Sequence, residues 1–235
     1  MGRKAGHLAL GIGKASGATL TVIPEEFRER PVKLHRLLDL LIGTIIKRLN
    51  SGRADGVVVL AEGLVEILDP QDLGGLEHVE RDEHGHLRLA EVDIGGLLRR
   101  EATKGMKALG LSISIVSKTI GYELRCADPI PYDIEYTRDL GYCAAQYLLD
   151  GGTAAMVSIQ DGRFTPIPFK QMVDPATGRA KVRMVDIGSQ SYQIARQYMI
   201  RLTDGDFNDP AVLGRCAALA GLSPEAFRNR FANVG

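Results

Sequence analysis

Three short clusters carry side chains whose types and spacing could do chemistry. Met1, Gly2 and Arg3 open the chain just ahead of a helical pattern that starts near Lys4 or Ala5. Free N–H groups and the positive end of a helix favour an anion there, and Gly2 would let that anion approach the backbone. Arg3 adds a planar fork matched to phosphate oxygens. The same three residues also suit a frayed, solvated terminus. Glu62 follows the apolar run 57–61 (VVVLA) and precedes Gly63. A carboxylate at the carboxyl end of a buried parallel strand stands where α/β ligand crevices form, and it accepts from sugar hydroxyls; a solvated loop-edge Glu is the alternative. In 121–125 (GYELR), Tyr122 and Arg125 could meet on one phosphate as a phenolic donor and a guanidinium fork, or be a core Tyr beside a surface Arg. Other candidates are weaker. Glu83, His84 and His86 lie in a charged stretch with no third ligand near, so no metal site is expected. The Gly11-Ile12-Gly13 run sits inside a helical pattern rather than after a strand, so it is not a dinucleotide loop. None of Cys126, Cys143 and Cys216 neighbours a His in sequence.

These residues need elements to place them, and the hydrophobic pattern supplies an alternation. Residues 5–15 read as a helix stopped by Gly17, and 18–23 as a β-branched strand ended by Pro24. From 31 to 49, Leu34, Leu37, Leu38, Leu41, Ile42, Ile45 and Leu49 fall on one helical face, with Pro31 fitting the first turn. Residues 55–63 read as a strand buried on both faces, completing a strand–helix–strand unit. A polar loop or hairpin follows, then a helix over 93–109 and an alternating strand over 111–119. Two prolines keep 126–133 irregular. Helix resumes over 132–149, and 153–169 reads as strand, tight turn, strand. Helices near 190–201, 210–220 and 224–231 end the chain, the last opened by Ser223 and Pro224. The expected class is α/β.

Composition narrows the possibilities. The 235 residues are 45% hydrophobic and 25% charged, an ordinary globular balance that excludes a disordered or collagen-like chain. Lys+Arg and Asp+Glu number 29 each, so net charge gives no general attraction to nucleic acid or acidic membranes. No apolar run approaches the roughly 18 to 20 residues of a membrane span, and the amino terminus has no signal-peptide pattern. Three widely spaced cysteines fit a reducing compartment. The expected setting is cytoplasmic, with no nucleic-acid or membrane partner. The 27 glycines concentrate where strands hand over to loops, as suits ligand binding at strand ends.

Taken in order, the pieces resemble the second half of a phosphofructokinase, most closely the pyrophosphate-dependent kind. The residues that carry this are MGRKAGHLAL (1–10), VIPEE (22–26), VVVLAEG (57–63), IGYELR (120–125), DLGYCAAQYLLDGG (139–152), MVSIQDGRFTPIPF (156–169) and VDIGSQSYQIARQYMIRL (185–202). The resemblance implies a Rossmann-like phosphofructokinase fold: a sugar-phosphate-binding lobe over 1–125, a segment over 126–185 returning to an incomplete donor-side lobe, and carboxyl-terminal helices over 186–235. It implies a glycolytic phosphotransferase, pyrophosphate plus D-fructose 6-phosphate going reversibly to D-fructose 1,6-bisphosphate plus phosphate. Met1, Gly2 and Arg3 would contact fructose 6-phosphate, with Arg3 also facing the phosphoryl group in flight as a transition-state cation. Glu62 would bind sugar hydroxyls. Tyr122, which replaces the His of the ATP-using bacterial enzymes, would grip the 6-phosphate and sugar together with Arg125. Val116 stands where the ATP-using form donates an Arg to its neighbour subunit; Lys118, two residues on, is the candidate substitute.

The family's donor loop, catalytic Asp and Mg²⁺ ligands lie upstream of the Met-Gly-Arg motif. The expectation is therefore an amino-terminally truncated, inactive chain with no metal ligands of its own. Mg²⁺ and a homodimeric or homotetrameric state would belong to the full-length enzyme. Apolar residues such as Ala144, Ala145, Leu148, Met156, Val157 and Ile159 would then lose partners and form an exposed patch. The alternatives are an ATP-dependent 6-phosphofructokinase and a non-catalytic sugar-phosphate-binding subunit.

Overall fold

Hydrophobic periodicity becomes structure most directly between residues 4 and 73. A computed structural model describes residues 4–73 and 92–232, with Tyr122 and Arg125 given by backbone alone. The chain divides into two units, Met1–Thr119 with Met184–Gly235, and Ile120–Arg183.

The first unit is organised on one crossover. Strand β1 (Leu20–Val22) pairs in parallel with β2 (Val58–Leu60), Leu20 opposite Val58 and Val22 opposite Leu60. Helix α1 (His7–Ser16) packs across both strands, and α2 (Leu34–Asn50) connects them. A Cβ on Gly13 would run into Thr21 Oγ1, so the glycine permits close approach of helix to strand. That accounts for Gly13 inside a helix, whereas a Cβ on Gly11 would meet nothing.

Helix α2 is buried on two sides, which the single apolar stripe does not convey. Leu37 and Leu40 join a core with Leu20, Val22, Ile23, Leu64 and Leu97. Leu41, Ile42 and Ile46 join a second core with Met106, Phe207, Phe227 and Phe231, residues of the following and returning segments. Helix α3 (Pro70–Leu73) follows β2, and α4 (Ile94–Ala108) begins where the Asp93 side chain accepts from the Gly96 N–H.

Three local expectations are corrected. Pro31 lies ahead of α2, whose first residue is Leu34. Strand β2 is half-buried rather than buried on both faces, because the sheet has two strands among the described residues and β2 is an edge. Segment 111–119 is extended but belongs to no assigned ladder. Its alternation is nonetheless real: Leu111, Ile113 and Ile115 turn toward the second core while Val116 and Lys118 face outward. A period of two reports which face is buried, not whether a neighbouring strand is hydrogen-bonded. The loop or hairpin expected over the 70s and 80s, including Glu83, His84 and His86, falls mostly outside the described residues.

The second unit opens with α5 (Gly121–Cys126) and α6 (Pro131–Leu149). Strand β3 (Ala155–Met156) pairs antiparallel with β6 (Ile167–Pro168), and inside them β4 (Ile159–Gln160) pairs with β5 (Arg163–Phe164). The turn between β4 and β5 has positive φ at both Asp161 and Gly162, as a tight two-residue hairpin requires. Helix α7 (Phe169–Met172) closes the segment. None of this unit's described residues is fully buried. Of the apolar residues expected to be uncovered, Ala145, Leu148 and Met156 are exposed, whereas Ala144, Val157 and Ile159 are half-buried.

The chain then returns to the first unit. Helix α8 (Gln190–Tyr198) is capped by Ser189, and α9 (Asp204–Asn208), α10 (Pro210–Leu219) and α11 (Pro224–Phe231) build the second core. Helix α11 starts as its sequence suggests, with the Ser223 side chain accepting from the Ala226 N–H and Pro224 at the first position. Helix α9 was not anticipated. Its start is secured by Asp206, which accepts from the Thr203 N–H and Oγ1 at 2.8 Å each and from Lys47 Nζ at 2.6 Å.

Burial pushes the Asp206 carboxyl up, but the bonds from Lys47 and Thr203 outweigh it and hold the group below its ordinary value. A carboxylate depressed in the folded state contributes stability above its unfolded value of about 3.9, and loses it as pH falls through the lower folded value. Asp206→Ala is expected to cost about 1.5–3 kcal/mol at pH 7. In urea melts across pH, the gap from wild type should narrow steadily below about pH 4.

Candidate functional site

Both parallel strands end, at their carboxyl side, in a short turn that carries acidic residues. Strand β1 runs through Ile23 into a 3-10 turn, Pro24–Glu26, and β2 runs through Ala61 into another, Glu62–Ile67. The Ala61 N–H donates to the Val22 carbonyl at 3.0 Å, which carries the pairing up to the mouth of the sheet, and the two turns pack together. Glu25, Glu26 and Glu62 therefore gather at the strand end where α/β folds hold ligands. Glu62 occupies the first position of its turn and is half-buried.

The beginning of the chain arrives at the same place. The Gly6 N–H donates to Glu25 Oε1 at 2.9 Å, immediately before α1. Met1, Gly2 and Arg3 themselves lie outside the described residues. Glu62 and the segment that follows Arg3 thus converge on one end of the sheet. Tyr122 and Arg125 lie one helical turn apart on α5 and belong to the second unit. That GYELR forms a helix gives the two positions a fixed spacing, which sequence inspection did not supply. Val116 is 74% exposed, so the place of the family's cross-subunit Arg holds an outward apolar side chain, with Lys118 on the same side of the segment.

The most highly ordered electrostatics in this region involve residues absent from the sequence-based candidates. Arg201 Nη2 donates to both Glu26 carboxylate oxygens, at 2.8 and 2.9 Å, and to the Thr21 carbonyl at 2.6 Å. The Tyr192 hydroxyl donates to Glu26 Oε1 at 2.7 Å. The pair is nearly excluded from water, with side-chain exposures of 4% for Arg201 and 8% for Glu26. Burial raises the Tyr192 phenol, and the Glu26 charge raises it further, so the hydroxyl stays a donor. Burial likewise lowers the Arg196 guanidinium, with Arg201 adding repulsion. The available signal was two acidic residues after the run TLTVI and its terminating Pro24, and an Arg inside the apolar stretch MIRL. Such charges are rarely buried unless paired.

Among the described residues no three His, Cys, Asp or Glu side chains converge as a metal site requires. No helix among them is long and apolar enough to cross a membrane.

Comparison with known proteins places this geometry in context. No protein-family profile matches the chain. It is 49% identical to a pyrophosphate–fructose 6-phosphate 1-phosphotransferase of Thermotoga maritima, across 98% of the chain and 56% of that protein. It is 45% identical to a protein of the same description from Naegleria fowleri, across 98% of the chain and 55% of that protein. An ATP-dependent 6-phosphofructokinase of Persephonella marina matches more distantly, at 26% identity over 72% of the chain. The chain spans about half the length of these first two relatives.

The buried pair gives a direct test of what holds the strand end. Arg201→Met strands the Glu26 carboxylate and is expected to destabilise the chain by about 3–5 kcal/mol. Tyr192→Phe removes one neutral donor and should cost about 0.5–1.5 kcal/mol. Equilibrium urea melts of both variants measure the difference.

Proposed function

We propose that the chain belongs to the family of pyrophosphate–fructose 6-phosphate 1-phosphotransferases and forms the fructose 6-phosphate-binding part of such an enzyme. The observation that carries this is the match at 49% identity along 98% of the chain. The parallel β1–α2–β2 unit, with Glu62 at its carboxyl end, supports a Rossmann-like phosphofructokinase lobe as the framework. The reaction is pyrophosphate plus fructose 6-phosphate to fructose 1,6-bisphosphate plus phosphate, in the cytoplasm, by an enzyme that assembles as a homodimer or homotetramer.

In this reading each residue does separate work. Arg125 holds the 6-phosphate through a charge-assisted fork, and Tyr122 donates to the same group. Glu62 accepts from the sugar hydroxyls and so fixes the orientation of the ring. Met1 and Gly2 bring the backbone against the sugar. Arg3 faces the phosphoryl group as it passes in line from pyrophosphate to the sugar O1, where charge spreads over the equatorial oxygens. A fixed cation there is worth more in the transition state than in the ground state. Mg²⁺ belongs to this reaction class, where it neutralises phosphate charge. The described residues offer no cluster of three His, Cys, Asp or Glu side chains to hold it.

Calorimetric titration of the chain with fructose 6-phosphate, with fructose as the control, tests the acceptor site. Saturable binding is expected. Arg125→Ala should weaken it about tenfold to over a hundredfold, from the loss of about 1.5–3 kcal/mol, and Tyr122→Phe should weaken it less, near 0.5–1.5 kcal/mol. No binding, or no effect of either variant, removes the phosphate grip. In the form of the enzyme that turns over, Arg3→Ala should lower kcat as well as kcat/KM, whereas Arg125→Ala should act mainly on KM. A coupled assay with each donor decides the phosphoryl source, and equal or better rates with ATP overturn the choice of pyrophosphate.

A further inference from the structure

We infer that the cavity between the first turns of α4 and the extended segment 111–119 is a second binding site, shaped for a phosphate group. Its volume is about 300 Å³, and its wall includes Asp93, Gly96, Arg99, Arg100, Ser117 and Thr119. Among the described residues the wall holds none of those assigned above to fructose 6-phosphate. Gly96, Arg99 and Arg100 stand at i, i+3 and i+4 on α4, so both guanidinium stems rise from the helix face on which Gly96 carries no side chain. Gly95 lets the extended segment come close, since a Cβ there would run into Ser117 Oγ. On that segment the inward row changes chemistry. Ile113 and Ile115 pack on the second core, and the period of two then brings Ser117 and Thr119 to the same side, at the cavity.

Charge and unmet hydrogen-bonding capacity point to an anion. Among the described residues no carboxylate pairs with Arg99 or Arg100, although the same helix pairs Lys104 with Glu101 at 2.7 Å. The Ser117 and Thr119 hydroxyls likewise have no protein partner among them. Asp93 is the acidic residue of the described wall, and its Oδ1 accepts from the Gly96 N–H at 2.9 Å. Two guanidiniums against one carboxylate leave the wall net positive. With Asp93 already capping the helix start, the anion belongs on the Arg side of the cavity. There the planar N–H forks match phosphate oxygens, and the two hydroxyls can donate to the oxygens that remain. Ligand cavities run from roughly 300 to 1,000 Å³, so this one suits phosphate or a small phosphate ester, not a nucleotide.

The experiment titrates the isotope-labelled 235-residue chain with inorganic phosphate, pyrophosphate, fructose 6-phosphate and fructose in turn, and follows amide chemical shifts by NMR. At least one phosphate compound is expected to shift Gly96, Ser117 and Thr119 saturably, and fructose none of them. A response to inorganic phosphate identifies the group itself as the ligand. A response confined to pyrophosphate or to fructose 6-phosphate identifies that compound as its source. Arg99→Gln and Arg100→Gln keep good helix formers on an exposed face, and each should weaken the response about tenfold or more. Arg99→Lys should recover only part of the loss. Lys104→Gln removes a charge from the same helix outside the cavity, and should stay within about twofold of wild type. Three results overturn the site: no shift at these amides with any phosphate compound, an unchanged response in the double Arg variant, or an equal loss in Lys104→Gln. The acceptor site is judged separately, by the calorimetric effect of Arg125→Ala, and stands or falls without this one.

Discussion

The buried Glu26–Arg201 pair is the contact through which the two ends of the first unit hold each other. Removing two charges from water is costly, and the cost is offset only when the remaining hydrogen-bonding capacity is met. Here the Thr21 carbonyl and the Tyr192 hydroxyl do part of that, and Arg201 Nε is left buried with no partner. The pair can be buried because residues 199–202 lie alongside β1. The Ile200 N–H donates to the Thr19 carbonyl at 2.8 Å, Thr44 Oγ1 donates to the Ile200 carbonyl at 3.0 Å, and Lys47 donates to the Arg201 carbonyl at 2.8 Å. A two-stranded sheet is marginal alone and its edges are reactive. The returning segment covers one of those edges and ties it to α2.

Much of this fold is legible in sequence, for reasons that differ between elements. Helices α1, α2, α4, α6 and α11 declare themselves because their stops and starts are local chemistry: Gly17 after α1, Gly151 after α6, Ser223 and Pro224 before α11; Pro131, expected to keep 126–133 irregular, instead heads α6. Helix α2 shows what periodicity misses. Its stripe identifies one buried face, but Leu40 and Ile46 lie outside that stripe and are buried as well, Leu40 in the first core and Ile46 in the second, which helices from the far end of the chain complete. Segment 111–119 fails in the opposite way. Its alternation predicts a strand, while the pattern records only packing of Leu111, Ile113 and Ile115 on the second core. Helix α9 is five residues long, too short for periodicity, and depends on a Lys47–Asp206 contact spanning 159 positions.

The candidate site was legible where geometry follows from strand order. Glu62 could be placed at a strand end because VVVLA announces its own termination, and the structure sets it there. Glu25 and Glu26 were hidden by the same logic, since adjacent carboxylates after a strand look like a solvated loop. Their partners, Gly6, Val185, Tyr192 and Arg201, are 19 to 175 residues away. No local window contains that information. Buried charge is specified by the partner, and the partner is specified by the fold.

Stability is distributed unevenly between the units. The first unit has two cores with fully buried Leu20, Ile23, Ile46, Leu64, Phe227 and Phe231. The second unit relies on local devices. Pro131 and the Asp133 carboxylate, which accepts from the Ile130 N–H at 3.0 Å, start α6; Tyr147 meets the edge of Phe164 at 5.8 Å and donates to the Thr153 carbonyl. Helix α6 has 19 residues and none of them is buried, with Tyr142, Leu148 and Leu149 all more than two-thirds exposed. A helix of that length is marginal without tertiary packing, and short hairpins are weaker still. Local opening should therefore cost least there and most around β1 and α2. Glu62 and the anchored start of α1 stand on the resistant side of this gradient, and α5 with its Tyr122 and Arg125 positions stands on the yielding side.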